Sequence, residues 1–194
     1  VGHNNNSTII DVLWDNVNPD GFGYVSFTSD CIKCPSIIKV PVVLNEGQSY
    51  QIQAARVTDD LTGSYLKSNK KIAVFSGSGR TDLAPCSGTS SDNLFQQAIP
   101  KTAWGTKYLT SRTEGTVRNN IYRIGVSDIT TIVSVNGASL PSSTYPATLQ
   151  NNFYYEVEDS IPLVITADKP ITVAQYIKSS NGCINPDPSA TRGN

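Results

Sequence analysis

Lys70-Lys71-Ile72-Ala73-Val74-Phe75-Ser76-Gly77-Ser78-Gly79 is the stretch whose reading decides the fold. Ile72 to Phe75 is a short apolar run with β-branched and aromatic members, set between the polar Ser68-Asn69-Lys70-Lys71 and a glycine-rich segment. Such a run, bounded on both sides by turn residues, predicts a strand buried in a sheet. The pattern recurs as Ala167-Asp168-Lys169-Pro170-Ile171-Thr172-Val173-Ala174-Gln175-Tyr176. Each run is preceded by an aromatic-centred strand, Ser49-Tyr50-Gln51-Ile52-Gln53 in one case and Phe153-Tyr154-Tyr155-Glu156-Val157 in the other. Each is followed by Ser and Gly and then a cysteine, Cys86 or Cys183. The repeated order predicts two copies of one β unit.

Composition agrees with an all-β chain. Of the 194 residues, 38% are hydrophobic and 16% charged, and 14 glycines and 11 prolines divide the sequence into short runs. No long Ala/Leu/Glu/Lys stripe of a helical protein is present. The expected architecture is two repeated β-sandwich units packed side by side, residues 1–98 and 99–194, the second cut short at its C-terminal end. A net charge of -1 gives no electrostatic case for nucleic acid or an anionic membrane. No apolar run reaches the roughly 20 residues needed to span a bilayer, so membrane insertion is not expected. The chain opens on Val1 as if processed or excised from something longer, and closes on Asn185-Pro186-Asp187-Pro188 and a polar tail that reads as a linker or a cut end.

Along the first half, strands are expected over Thr8–Trp14, Gly23–Thr28, Ile37–Leu44, the Tyr50 segment, Tyr65-Leu66 and Ile72–Phe75. Asp15 to Gly21 reads as a hairpin turn, and Asn45 to Gln48 as another. Pro41 removes a ladder donor and so places its strand at an edge or a bulge. Gly77 to Ser91 reads as a loop, with one helical turn near Asp92–Gln97 capped by Ser91 or Asp92. In the second half the expected strands are Lys107–Ser111, Asn120–Ser127, Thr131–Val135, Phe153–Val157, Leu163–Thr166 and Ile171–Tyr176, with Asn136-Gly137 as a hairpin turn.

Little of this looks like a reaction centre. His3 is the only histidine and stands in a polar terminus, so no Ser-His-Asp constellation can form. Asp59, Asp60, Asp82, Asp92, Glu156 and Glu158 could supply a carboxylate pair, but each reads more simply as a loop or surface charge. Ser76 to Gly79 lacks the Lys-Ser/Thr of a phosphate loop. Asn16, Asn18, Asp20 and Gly21 fit the first half of a calcium loop, yet Phe27 stands where the closing glutamate is required. Cys31 and Cys34 have half of a zinc spacing, without a second close pair or a histidine pair to complete it. No metal and no cofactor are expected.

The four cysteines Cys31, Cys34, Cys86 and Cys183 read instead as two disulfides of an exported protein. Three pairings are open. Cys31 with Cys34, and Cys86 with Cys183, follows the repeat, because Cys86 comes 14 residues after Ile72 and Cys183 comes 12 after Ile171. The rival joins Cys86 to Cys31 or Cys34 and leaves Cys183 for a segment outside the chain. Asn5 and Asn6 both fit the N-glycosylation pattern.

Several of these residues together resemble a known family. Lys71 to Gly77, then Cys86, Asp92, Leu94, Gln97, Pro100, Trp104, Gly105 and Tyr108, is similar to the IgGFc-binding protein N-terminal domain family, and the likeness continues through Asp168 to Tyr176. That family shows a Pro-Val-Ala-Val-Phe-Ser-Gly strand, a cysteine loop, Cys-Asp-His-Leu-x-Glu-Gln-Leu-Pro, Trp-Gly-x-x-Phe, and later Asp-Lys-Pro-Val-x-Val-x-Gln. The chain departs from it in an insertion between Cys86 and Asp92, in Asn93 where His is usual, and in Gln96 where Glu is usual. The resemblance implies a secreted or cell-surface adhesive module without catalysis. Its partner would be a protein or glycan at a cell or matrix surface, with self-association as a further route. The alternative is a carbohydrate-binding module using loop 77–91 and exposed aromatics. The candidate contact residues are Arg80, Asp82, Asp92, Trp104 and Tyr155.

Overall fold

Alternation of apolar and polar residues along most segments dictates strands, and strands are what form. The structure is a computed structural model that describes residues 8–14, 23–29, 38–45, 47–53, 61–81, 92–113, 119–150 and 153–178. Among these the chain is all-β, with a single 3-10 turn at Lys101–Ala103 and no α-helix. The described residues fall into two compact units, one drawn from His3–Thr81 and Asp92–Ala98, the other from Ile99 onward.

The first unit has a four-stranded sheet in the order β4-β1-β6-β7, made of β1 (Thr8–Trp14), β4 (Ser49–Gln53), β6 (Ile72–Thr81) and β7 (Asp92–Gln97). A second sheet runs β3-β2-β5, from β2 (Gly23–Ser29), β3 (Ile38–Leu44) and β5 (Tyr65–Ser68). All pairings are antiparallel. Pro41 lies in β3, whose one partner among the described residues is β2, so the missing N–H falls on an edge strand. β1 and β2 belong to different sheets, and the turn expected at Asp15–Gly21 lies outside the described residues. The Asn45–Gln48 turn does form, with Gly47 at φ 75° and the Gln48 N–H donated to the Asn45 carbonyl at 3.0 Å. Leu44 and Leu61 are buried, with Val42, Ile52, Leu66, Ile72 and Val74 packed on them.

Two expectations for this unit need correction. Asp92–Gln97 is a strand, not a helical turn, because the edge of β6 offers a ladder that six residues of weak helix propensity cannot match alone. Gly77 is strand rather than loop, and β6 runs on to Thr81. A Cβ on Gly77 would lie 2.5 Å from the Leu94 carbonyl oxygen and 3.2 Å from the Phe95 ring, so glycine is what lets β7 close on β6. Phe95 then stacks on Phe75 with centroids 5.3 Å apart and planes 5° from parallel.

The second unit is built on β13 (Val164–Tyr176). Its sheet runs β11-β10-β13-β9-β12, with β8 also on β13, from β8 (Gly105–Leu109), β9 (Asn120–Val126), β10 (Val133–Val135), β11 (Ala138–Ser139) and β12 (Tyr154–Asp159). Where two strands are expected at Leu163–Thr166 and Ile171–Tyr176, one continuous strand forms. Its first part pairs with β10 and its last part with β9, and the register against β8 shifts between Thr166 and Ile171. That shift spans Asp168-Lys169-Pro170 and lets the strand change neighbours. Asn136 (φ 49°) and Gly137 (φ 84°) form the type I′ turn that Asn-Gly predicts, joining β10 to β11.

The core of this unit holds Tyr122, Ile124 and Val126 of β9, Val133 and Val135 of β10, Tyr155 and Val157 of β12, Leu163 just before β13, and Ile165 and Ile171 within it. Each apolar side chain removed from water contributes about 1.5–3 kcal/mol before the entropy of ordering is charged. All seven residues of β9 are buried, so both of its faces are covered. Tyr154 and Tyr155 are adjacent in β12 and so point to opposite faces of the sheet. Both are buried, Tyr155 among the core residues and Tyr154 on the opposite face beneath Arg123.

Candidate binding surface

The Asp-Lys-Pro element works as a clamp. The Asp168 carboxylate accepts the Ile132 N–H at 2.7 Å, and the Pro170 carbonyl accepts the Ser127 N–H at 3.0 Å. The Lys169 ammonium donates to the Asp128 carboxylate at 3.1 Å and to the Thr130 hydroxyl. Asp128 also accepts the Thr130 N–H (2.8 Å) and hydroxyl (2.6 Å). These bonds, led by the Thr130 hydroxyl, hold the Asp128 carboxyl well below the ordinary carboxylate range. Three consecutive residues of β13 thus tie down the whole β9–β10 loop.

The face of β9 turned away from the core carries the buried charge. Arg123 sits directly opposite Glu156 in the β9–β12 register, and its Nε donates to the Glu156 carboxylate at 2.9 Å. Its guanidinium lies 4.6 Å above the Tyr154 ring. Further along, a Cβ on Gly125 would meet the Thr172 methyl at 2.9 Å and the Phe153 ring at 3.3 Å. Trp104 meets Phe153 edge-on at 6.1 Å and donates its indole N–H to the Ile99 carbonyl at 3.0 Å. On the core side, Tyr145 donates to the Asp159 carboxylate at 2.6 Å, and burial raises the Tyr145 pKa.

One open surface of the second unit is the outer face of β8, the first part of β13, β10 and β11. Leu109 and Val164 are directly opposite each other and are 74% and 42% exposed. The next row runs Lys107, Thr166, Ser134 and Ser139 across four strands, with the two serine hydroxyls 3.1 Å apart. Ile161, three residues before Val164, is 52% exposed. An exposed apolar pair beside a row of hydroxyls is the kind of surface on which a contact can form.

A family model described as IgGFc binding protein matches residues 25–193. The chain belongs to this family. No curated protein and no solved structure matches it.

The IgGFc-binding motifs can now be placed. The apolar strand Ile72–Phe75 is the centre of the β4-β1-β6-β7 sheet, and its glycine is needed for contact with β7. Trp104 of the Trp-Gly element is a half-buried pin on Phe153, and Gly105 begins β8. Of the candidate contact residues, Tyr155 is in the core and so offers no surface. Arg80 lies in β6 and Asp92 at the start of β7, where Asp92 pairs with Thr81, the residue after Arg80. Asp82 and all four cysteines lie outside the described residues, as do Asn5 and Asn6. Among the described residues no cluster of His, Cys, Asp and Glu could hold a metal ion, and no helix is long and apolar enough to cross a membrane. Sequence reasoning missed Leu109 and Val164, although Tyr108 and Ile165, their inward neighbours, already imply by alternation that both point outward.

Proposed function

We propose that the chain is a non-catalytic extracellular adhesive module that meets a protein partner through the outer face of β8, β13, β10 and β11. The exposed Leu109–Val164 pair carries this reading. Membership of an IgGFc-binding family supports protein binding. The acidic side chains of the second unit argue against a hydrolase: Asp128, Asp159, Asp168, Glu156 and Glu158 each cap a turn, bond a tyrosine or pair with a cation.

Beads coated with the chain should adhere to surfaces carrying immunoglobulin, mucin or matrix protein. The paired change Leu109→Asp and Val164→Asp should cut adhesion by about tenfold or more, since losing two central apolar contacts costs at least about 1.4 kcal/mol. Unchanged adhesion in a folded double variant removes the reading. A second reading, carbohydrate binding, draws on Phe95, which is 63% exposed and stacked on Phe75. Adhesion abolished by enzymatic deglycosylation of the target would favour it.

The two units are proposed to be a duplication, with the repeat boundary near residue 98. What supports this is register. β1 pairs with β4 and β6, and β9 pairs with β12 and the last part of β13. β2 pairs with β3 and β5, and β10 pairs with β11 and the first part of β13. If Ile72 corresponds to Ile171, these ladders carry Val12 onto Ile124 and Tyr50 onto Tyr155. The disulfides Cys31–Cys34 and Cys86–Cys183 are proposed on the same repeat. Non-reducing peptide mapping checks them, and a peptide joining Cys31 or Cys34 to Cys86 would overturn the pairing.

A further inference from the structure

Carrying one unit's register onto the other exposes a seat. In the first unit β6 has β1 on one side and β7 on the other. Val74 turns its main-chain groups toward β7, and its carbonyl accepts the Ala98 N–H at 2.8 Å. By strand alternation Ser76 and Ser78 turn the same way, and they lie opposite Gln96 and Leu94.

In the second unit the residues equivalent to Val74 and Ser76 are Val173 and Gln175. The Ile171 carbonyl accepts the Tyr108 hydroxyl at 2.8 Å on the β8 side, so alternation turns the main-chain groups of Val173 and Gln175 to that side as well. β8 stops short of them. Its pairing with β13 ends at Gly105–Ile171, and the turn Lys101–Ala103 takes the chain off the edge. Among the described residues, Thr172–Gln175 has β9 on one side and no strand on the other; Ala174 and Gln175 are exposed, and the only described segment that meets them there is Ser111–Thr113, whose Ser111 carbonyl accepts the Gln175 side-chain amide at 3.0 Å.

We propose that this free edge of β13 is a strand-addition site, which receives an antiparallel segment of a partner polypeptide in the place that β7 takes on β6. The partner segment is extended and carries both amide and large apolar side chains, as Asp92–Gln97 does with Asn93, Leu94, Phe95, Gln96 and Gln97. Main-chain hydrogen bonds to Val173 and Gln175 supply affinity, and side chains falling alternately on the two sheet faces supply selectivity. The inference rests on the duplicated register and is independent of the Leu109–Val164 face, so either can fail alone.

The probe is a synthetic peptide with the sequence of residues 92–98, added to the full chain while amide hydrogen exchange is followed. Exchange at Val173 and Gln175 should slow by about tenfold when the peptide is at ten times its Kd, with Thr172 and Ala174 little changed. The same peptide carrying Gln96→Pro loses an N–H that points at the edge and should have no effect. No slowing with the parent peptide overturns the proposal. Val173 and Gln175 amides already as protected as Thr172 and Ala174 in the free chain also overturn it, because the chain itself would then fill the seat.

Discussion

Arg123→Ala should destabilise the second unit by about 3–5 kcal/mol, because it leaves the Glu156 carboxylate largely buried without its partner. The side chains of Arg123 and Glu156 are 8% and 23% exposed, so water can replace only a small part of the lost interaction. The Tyr154 ring also loses the cation packed 4.6 Å above it. The double variant Arg123→Met with Glu156→Leu should recover most of the loss, since two apolar side chains of similar length have no charge to desolvate. Hydrogen exchange of the β9 amides in urea reads the second unit separately from the first. A single variant within about 1 kcal/mol of the parent would mean that solvent reaches the pair.

Tyr122 should show opposite signs for two substitutions at one position. It is fully buried in the core, and its hydroxyl has no hydrogen-bond partner among the described residues. Tyr122→Ala opens a cavity the size of a ring and should cost about 3–5 kcal/mol. Tyr122→Phe keeps the ring and removes an unsatisfied donor, so it should be neutral or stabilising by up to about 1–2 kcal/mol. The same exchange measurement, with thermal melting alongside it, separates the two. A Phe variant that loses more than about 1 kcal/mol would show that the hydroxyl is bonded after all.

What the sequence could and could not reveal follows from how far apart the interacting residues lie. Period-two alternation is local, so the strands around Ile10, Tyr24, Tyr50, Ile72, Ile124 and Ile165 are legible, as is the turn at Asn136-Gly137. β7 is not legible, because Asp92–Gln97 becomes a strand only through the edge of β6 and the space above Gly77. Turn residues such as those of Asp15–Gly21, which lie outside the described residues, do not say which sheet the next strand enters: β1 and β2 belong to different sheets. The Asp-Lys-Pro element is visible as a motif, but its role depends on Asp128 and Thr130, about forty residues earlier. Tyr155 was misplaced because alternation separates the faces of β12 without saying that both are covered. The open Leu109–Val164 pair needed the β8–β13 register, which joins residues 55 apart.

β13 also decides how the second unit comes apart. A chain break between two layers allows one to melt while the other holds, as the Ser68–Lys71 interval between β5 and β6 would permit in the first unit. In the second unit the same backbone runs on from the β10 ladder into the β9 ladder, with β8 alongside. Peeling either ladder drags the shared strand out of the other. The second unit should therefore lose its amide protection in one cooperative step, its β9 and β10 amides opening with a common free energy, while the first unit shows a spread of local openings. Under a pulling load the second unit would then behave as a single latch, releasing its extension all at once.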